Sequence, residues 1–211
     1  MNTGPIARAA AALYSPVLPY HNFGHAVHVA SQGALIVGNC ARENIPVDGR
    51  VVYLACLFHD AGFHMDHLGL GHESKESYSA VLAADLLAAH DLDREVIERV
   101  VAAILSTHCD GRCASNEARA VKAADLSGVA AVYGEFRIVS MRLWAEAEML
   151  GGRRLPWDAW REQACERLEL FLHDDLHLTS DYFDDQGRSI FHLRARENIR
   201  RLSQDPAPEV Q

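Results

Sequence analysis

The sequence predicts an all-α fold, and three observations predict it. Apolar residues recur at helical intervals in nearly every segment rather than in alternation. No segment carries a convincing strand or hairpin signal. Capping residues and Gly or Pro breakers cut the chain into helix-length pieces.

The pieces follow in order. A first helix covers about 4–14, and Pro16 and Pro19 then force an extended stretch. A second runs from Asn22, a good N-cap, to about Ala41. Asp48 caps a third over about 49–60, apolar almost all round and so central. Residues 62–71, rich in His, Asp and Gly, read as loop. A fourth helix covers about 73–90. A fifth begins after Asp91 with Leu92, Val96, Ile97, Val100, Val101, Ile104 and Leu105 on one stripe, until Asp110-Gly111 breaks it. Asn116 opens a sixth that continues to about 150 with a bend near Gly128 or Gly134. Gly151-Gly152 and Pro156 make a turn, a seventh helix covers about 157–173, and the last covers about 189–203. One domain over 1–203 is expected, with 204–211 as a disordered tail.

Composition narrows the function. A chain of 211 residues buries roughly 70 % of its unfolded surface, so it needs neither disulfide nor metal merely to fold. The net charge of −9 argues against a nucleic-acid polymer as partner. No stretch approaches the ~18 apolar residues of a membrane span, and the N-terminus lacks the pattern of a secretory signal. Five cysteines without paired spacing suit a reducing compartment, so a cytoplasmic location is expected.

The twelve histidines carry most of the remaining information. Four short segments bring metal-ligand side chains to helix ends or apolar faces: Y-H-N-F-G-H-A-V-H-V with His21, His25 and His28; His59-Asp60; G-H-E-S-K-E-S with His72 and Glu73; and His108 followed by Asp125. Each has a plain structural reading alone. His108 extends the stripe of the fifth helix, Asp125 suits a salt bridge, and His59 meets a helix C-terminus favourably when protonated. Asp60 is harder to explain, because its charge opposes the dipole at the same end. A cation would remove the conflict, and one metal site accounts for all four segments together. Imidazole nitrogen with carboxylate oxygen suits a borderline divalent ion. Such an ion lowers the pKa of a bound water from ~15.7 toward ~7 and neutralises charge on a phosphoryl oxygen.

The order His25, His59-Asp60, Asp125 resembles the HD-domain superfamily of metal-dependent phosphohydrolases. Y-H-N-F-G-H-A-V-H-V is similar to the Y-H-N-x-x-H-A-x-x-V signature of class I cyclic-nucleotide phosphodiesterases and of small bacterial HD phosphohydrolases. L-A-C-L-F-H-D-A-G-F, G-H-E-S-K-E-S and K-A-A-D-L resemble the segments bearing the HD pair, the H-E-x-x-S motif and the last aspartate. The resemblance implies an HD-type helical bundle with one or two divalent ions (Mn, Fe, Co, Ni, Zn or Mg). It implies His25, His59, Asp60 and Asp125 as ligands of the first ion, with Asp60 able to bridge to a second. His72 and His108 stand in the order of second-metal ligands. His21 matches the histidine that protonates a leaving oxygen, though capping the loop before the second helix is an equal alternative.

Other positions stay open. Glu73 orients a metal water or a ligand histidine, or simply favours a helix N-terminus. His64 and His67 touch substrate phosphate or are plain loop residues. Lys75 and Lys122 are candidate phosphate contacts. The sequence departs from the phosphodiesterases beyond the HD pair, where H-D-x-D-H-P-G is replaced by H-D-A-G-F-H-M-D-H. The leading expectation is hydrolysis of a phosphomonoester or phosphodiester of a nucleotide or small metabolite by metal-bound hydroxide. A di-iron oxygenase of the same six residue types, and a non-catalytic nucleotide-binding module, are the alternatives.

Overall fold

A computed structural model describes residues 4–173 and 176–208. Helix dominates, and among the described residues the only β pairing is an isolated bridge between Phe183 and Ser189. The all-α expectation holds. The chain divides into two compact units, Met1–Asp125 and Leu126–Gln211.

The first unit contains α1 (Gly4–Ala11), α2 (Phe23–Arg42), α3 (Gly49–Phe58), α4 (Lys75–Ala89), α5 (Arg94–Leu105) and α6 (Asn116–Asp125). The first helix ends at Ala11, and Ala12 and Leu13 continue in tight turns onto Ala9 and Ala10 carbonyls. The caps Asn22 and Asp48 act as expected: Asn22 accepts from Gly24 and His25 N–H groups, and Asp48 from Arg50 and Val51. The fourth helix starts later than expected, because Ser74 and Ser77 form a reciprocal capping box. Asn116 instead donates to the Pro46 carbonyl, and the Ser115 hydroxyl accepts from the Ala118 N–H.

Helix α3 is the post of this unit. Val51, Val52, Leu54, Ala55, Cys56, Leu57 and Phe58 are all buried, each large side chain contributing about 1.5–3 kcal/mol. Its neighbour α2 approaches closely at Gly33, where a Cβ would stand 2.9 Å from Val52 Cγ1 and 3.1 Å from Cys56 Sγ. A third helix, α6, packs on both. The beginning of α2 and the ends of α3 and α6 are thereby available to one another.

The second unit holds a 3-10 turn at Leu126–Ala130, α7 (Tyr133–Gly151), α8 (Trp157–Phe171) and α9 (Ile190–Leu202). The helix expected to run from Asn116 to about 150 is thus broken by that 3-10 turn at the glycine where a bend was foreseen. Its core is Phe136, Trp157, Trp160 and Leu202. Asp205 is a buried hub, accepting from Tyr133 Oη at 3.0 Å and Arg137 Nε at 2.8 Å, while its carbonyl accepts from Trp157 Nε1 at 3.1 Å. Burial and the Asp205 carboxylate push the Tyr133 phenol up to about 12. Of the tail expected at 204–211, residues 209–211 lie outside the described residues.

Candidate metal centre

His25 sits in the first turn of α2, where the Asn22 cap fixes the backbone. His59 and Asp60 follow the last residue of α3, and Asp125 is the last residue of α6. Four ligand atoms, one from each of these residues, lie within 4.8 Å of one another.

The individual separations are more informative. His59 Nε2 is 2.9 Å from Asp60 Oδ2, 3.3 Å from Asp125 Oδ1 and 3.2 Å from His25 Nε2. His25 Nε2 is 3.4 Å from both Asp60 Oδ2 and Asp125 Oδ1. Two donors ~2.1 Å from one ion stand about 3.0 Å apart at a right angle and about 3.4 Å apart at the tetrahedral angle. The set therefore has the spacing of ligands around one ion, and its imidazole and carboxylate donors suit a borderline divalent metal.

The tautomer of His59 points the same way. Its Nδ1 faces the Cys56 carbonyl at 2.8 Å. With that nitrogen donating, the neutral ring presents the Nε2 lone pair to two carboxylates and a second imidazole. Such a gathering of acceptors needs a cation at its centre. In the metal-free protein a proton meets the need. Burial acts to lower the His59 pKa, but the Asp60 and Asp125 charges outweigh it and hold it well above the usual imidazole value. Burial likewise acts downward on His25, and hydrogen bonding to Asp125 and Asp60 raises it. Burial acts upward on both carboxylates, yet the His59 charge and its neighbours hold Asp60 and Asp125 below the ordinary range.

The turn beyond α3 is clamped. The Gly62 N–H donates to the Leu13 carbonyl at 2.9 Å, and Tyr14 Oη donates to the Leu57 carbonyl at 2.9 Å. Gly62 has φ +73, and a Cβ there would stand 2.6 Å from Tyr78 Cε1. No other residue type fits that conformation and that contact together. Burial and the Asp60 charge keep Tyr14 protonated, with its pKa raised well above the ordinary phenol.

His21 lies beside the group, its Nε2 4.0 Å from Asp60 Oδ2. The other expected site residues are placed differently. His72 is tilted against the Tyr78 ring at 4.9 Å, and His108 groups with Cys109 and Asp110 on the loop after α5. Neither belongs to the four-residue group. Lys122 is fully buried and donates to the His108 and Gly111 carbonyls at 3.1 and 3.0 Å, so its ammonium ties down that loop. Lys75 Nζ donates to the Phe63 carbonyl at 3.2 Å and stands 3.3 Å from the centroid of the Phe63 ring. His64 and Glu73 are exposed and His67 half-buried. Phe63 was not singled out from the sequence: an aromatic residue after a glycine reads as ordinary packing. Its ring lies 3.6 Å from that of His21, nearly parallel at 16°.

The HD domain family matches residues 22–127, a span containing all four residues of the group. No curated protein matches the sequence. Among solved structures, the chain is similar to the phosphodiesterase domain of Salpingoeca rosetta rhodopsin phosphodiesterase. That likeness has a TM-score of 0.59 at 16% identity and covers 94% of this chain and 75% of the other, a likeness of fold. The match takes in just over half of the chain, and the histidine-aspartate pair at its centre is folded into a metal-type cluster. The chain belongs to the HD domain family.

Proposed function

We propose that the protein is a divalent-metal-dependent phosphohydrolase that cleaves a phosphomonoester or phosphodiester of a nucleotide or similar small metabolite. The observation that carries this reading is the convergence of His25, His59, Asp60 and Asp125, with His21 beside them. One ion would be held by the two imidazole Nε2 atoms and the two carboxylates. When bound, it supplies a water of lowered pKa and positive charge for a phosphoryl oxygen.

The chain's own groups do the rest. Cys56 holds His59 in the tautomer that leaves Nε2 available. Water provides the oxygen that bonds to phosphorus, the ester P–O bond breaks, and His21 donates a proton to the leaving oxygen. The proton lost by the water restores His21. The four-residue group supplies a donor set for one ion, and hydrolysis by a metal-bound water needs no more than that.

The test is metal-stripped protein reloaded with Mn2+, Fe2+, Co2+, Ni2+ or Zn2+ and assayed on p-nitrophenyl phosphate and bis(p-nitrophenyl) phosphate. One ion per chain and metal-dependent release of p-nitrophenol are expected. His59→Ala and Asp125→Ala should lose both. Full metal content in either variant would overturn the ligand assignment. A loaded wild-type protein inert toward a broad panel of phosphoesters would overturn the activity and leave a binding module.

A further inference from the structure

We propose that Phe63 is a positioning residue for His21, holding that imidazole at the metal centre while Lys75 holds Phe63 from behind. This rests on the hydrolytic reading above. The His21 ring centroid lies 3.6 Å from the Phe63 centroid, and Lys75 Nζ lies 3.3 Å from the same point. Both groups are at van der Waals distance almost directly over the ring, so they occupy opposite faces of it. Lys75 also donates to the Phe63 carbonyl, which fastens both ends of the residue to one ammonium group. A cation over an aromatic face contributes about 0.5–1 kcal/mol at exposed sites and more when desolvated.

The backbone of Phe63 is set by the turn that carries the metal ligands. Its N–H donates to the Asp60 carbonyl at 3.1 Å, and the preceding Gly62 is clamped to Leu13. The ring is therefore indexed to Asp60. His21 has no helix to orient it, since α2 begins at Phe23. Tyr20 meets its edge at 4.8 Å and 86°. The Phe63 face selects the imidazole plane and covers one side, leaving the His21 side chain 17% exposed with Nε2 on the Asp60 side. A proton donor must lie within hydrogen-bond reach of the oxygen it serves, so a ring free to turn would lose much of its effect.

The test compares Phe63→Leu, which removes the flat face, with Phe63→Tyr, which keeps it. The first readout is NMR of the His21 ring protons in metal-free protein. Upfield-shifted resonances are expected in wild type and Phe63→Tyr, and their return toward free-histidine positions in Phe63→Leu. The second is hydrolysis of phenyl phosphate against p-nitrophenyl phosphate by the Mn2+-loaded enzyme. Phenolate is the poorer leaving group and depends more on a proton donor. Phe63→Leu should lose about 10-fold or more in kcat on the phenyl ester and only about 2-fold on the p-nitrophenyl ester. Phe63→Tyr should restore both. Adding Phe63→Leu to His21→Ala should cost nothing further on the phenyl ester. Calorimetric Zn2+ stoichiometry of one per chain in Phe63→Leu shows that the centre is intact.

Unchanged His21 resonances in Phe63→Leu would overturn the stack. Equal losses on the two esters would overturn the positioning role. Wild-type protein inert toward a broad panel of phosphomonoesters and phosphodiesters, with the shifted resonances present, would overturn the hydrolytic reading and support the stack alone.

Discussion

At His59 two demands meet on one ring. Nδ1 is committed to the Cys56 carbonyl, so whatever occupies the centre must use Nε2. The ring is 1 % exposed, and the two carboxylates beside it call for a cation. In metal-free protein the proton is that cation, which makes stability depend on pH with a defined sign. The folded pKa values of His25 and His59 are raised above the unfolded value of about 6.5. Their contribution is complete below that pH and is lost as pH rises through the folded values. Asp60 and Asp125 have depressed folded values, so their contribution is present above about pH 3.9 and is lost as pH falls through those values. Melting of EDTA-treated protein should therefore show Tm falling from about pH 6.5 to pH 9. Saturating Zn2+ should abolish that decline. A metal-free Tm that climbs over the same interval would contradict the geometry. At this scale the cluster of His25, His59, Asp60 and Asp125 was legible because Asp60 opposes a helix dipole and one metal-type site accounts for all of these residues together. His72 and His108 rest on their order along the chain alone, and the ligands of a second ion would lie outside the four-residue group in any case. Phe63 was invisible because an aromatic ring has a packing role by default.

Helix ends, rather than helix faces, build the centre, so the element scale is about fixing three ends together. Glu117 near the start of α6 is the knot. Its Oε1 accepts from the Asp48 N–H at 2.9 Å and from Arg99 Nη2 at 2.9 Å, and Arg99 Nη1 reaches Asp48 Oδ2 at 3.0 Å. The N-terminus of α3, the middle of α5 and the N-terminus of α6 are joined at the end of the unit opposite the HD pair along α3. Burial acts to raise the Glu117 pKa, but the Asp48 N–H, further hydrogen bonds and the Arg99 charge lower it. Its stabilisation is thus present above the ordinary value of 4.5 and is lost as pH falls through the folded value. Glu117→Gln should cost about 1–3 kcal/mol at pH 7 in urea unfolding. The gap from wild type should narrow below about pH 4.5, and a gap that widens there would refute the role. Caps at Asn22 and Asp48 were readable because short polar side chains before apolar runs have one common use. The Ser74 start of α4 was not, because His72 and Glu73 attracted the boundary upstream. The break after Asp125 leaves little trace in the sequence, because Leu126–Ala130 contains no proline and only one glycine.

Across the whole molecule, basic charge is distributed unevenly by residue type. The basic residues are almost all arginine: of 20 Lys and Arg, lysine occurs only at positions 75 and 122. No helix among the described residues is long and apolar enough to cross a membrane. The helical class and the first unit's cluster of imidazole and carboxylate groups were readable at this scale, because both follow from periodicity and local chemistry. The division at Asp125 was not, because the chain passes from α6 into the 3-10 turn without a linker of distinctive composition.

The burial of Lys122 then has a practical consequence for covalent footprinting. Its amine is enclosed and bound to two carbonyls, and the amine of Lys75 sits over an aromatic ring. Besides the α-amino group, a folded chain offers an acylating reagent no ordinary surface amine. Brief treatment with acetic anhydride and peptide mass spectrometry should leave Lys122 unmodified and Lys75 slow to react, with both acetylated after denaturation. Rapid acetylation of Lys122 in the native protein would contradict its enclosure. Two mass shifts thus report on the loop after α5 and on the Phe63 turn, with almost no background from the rest of the surface.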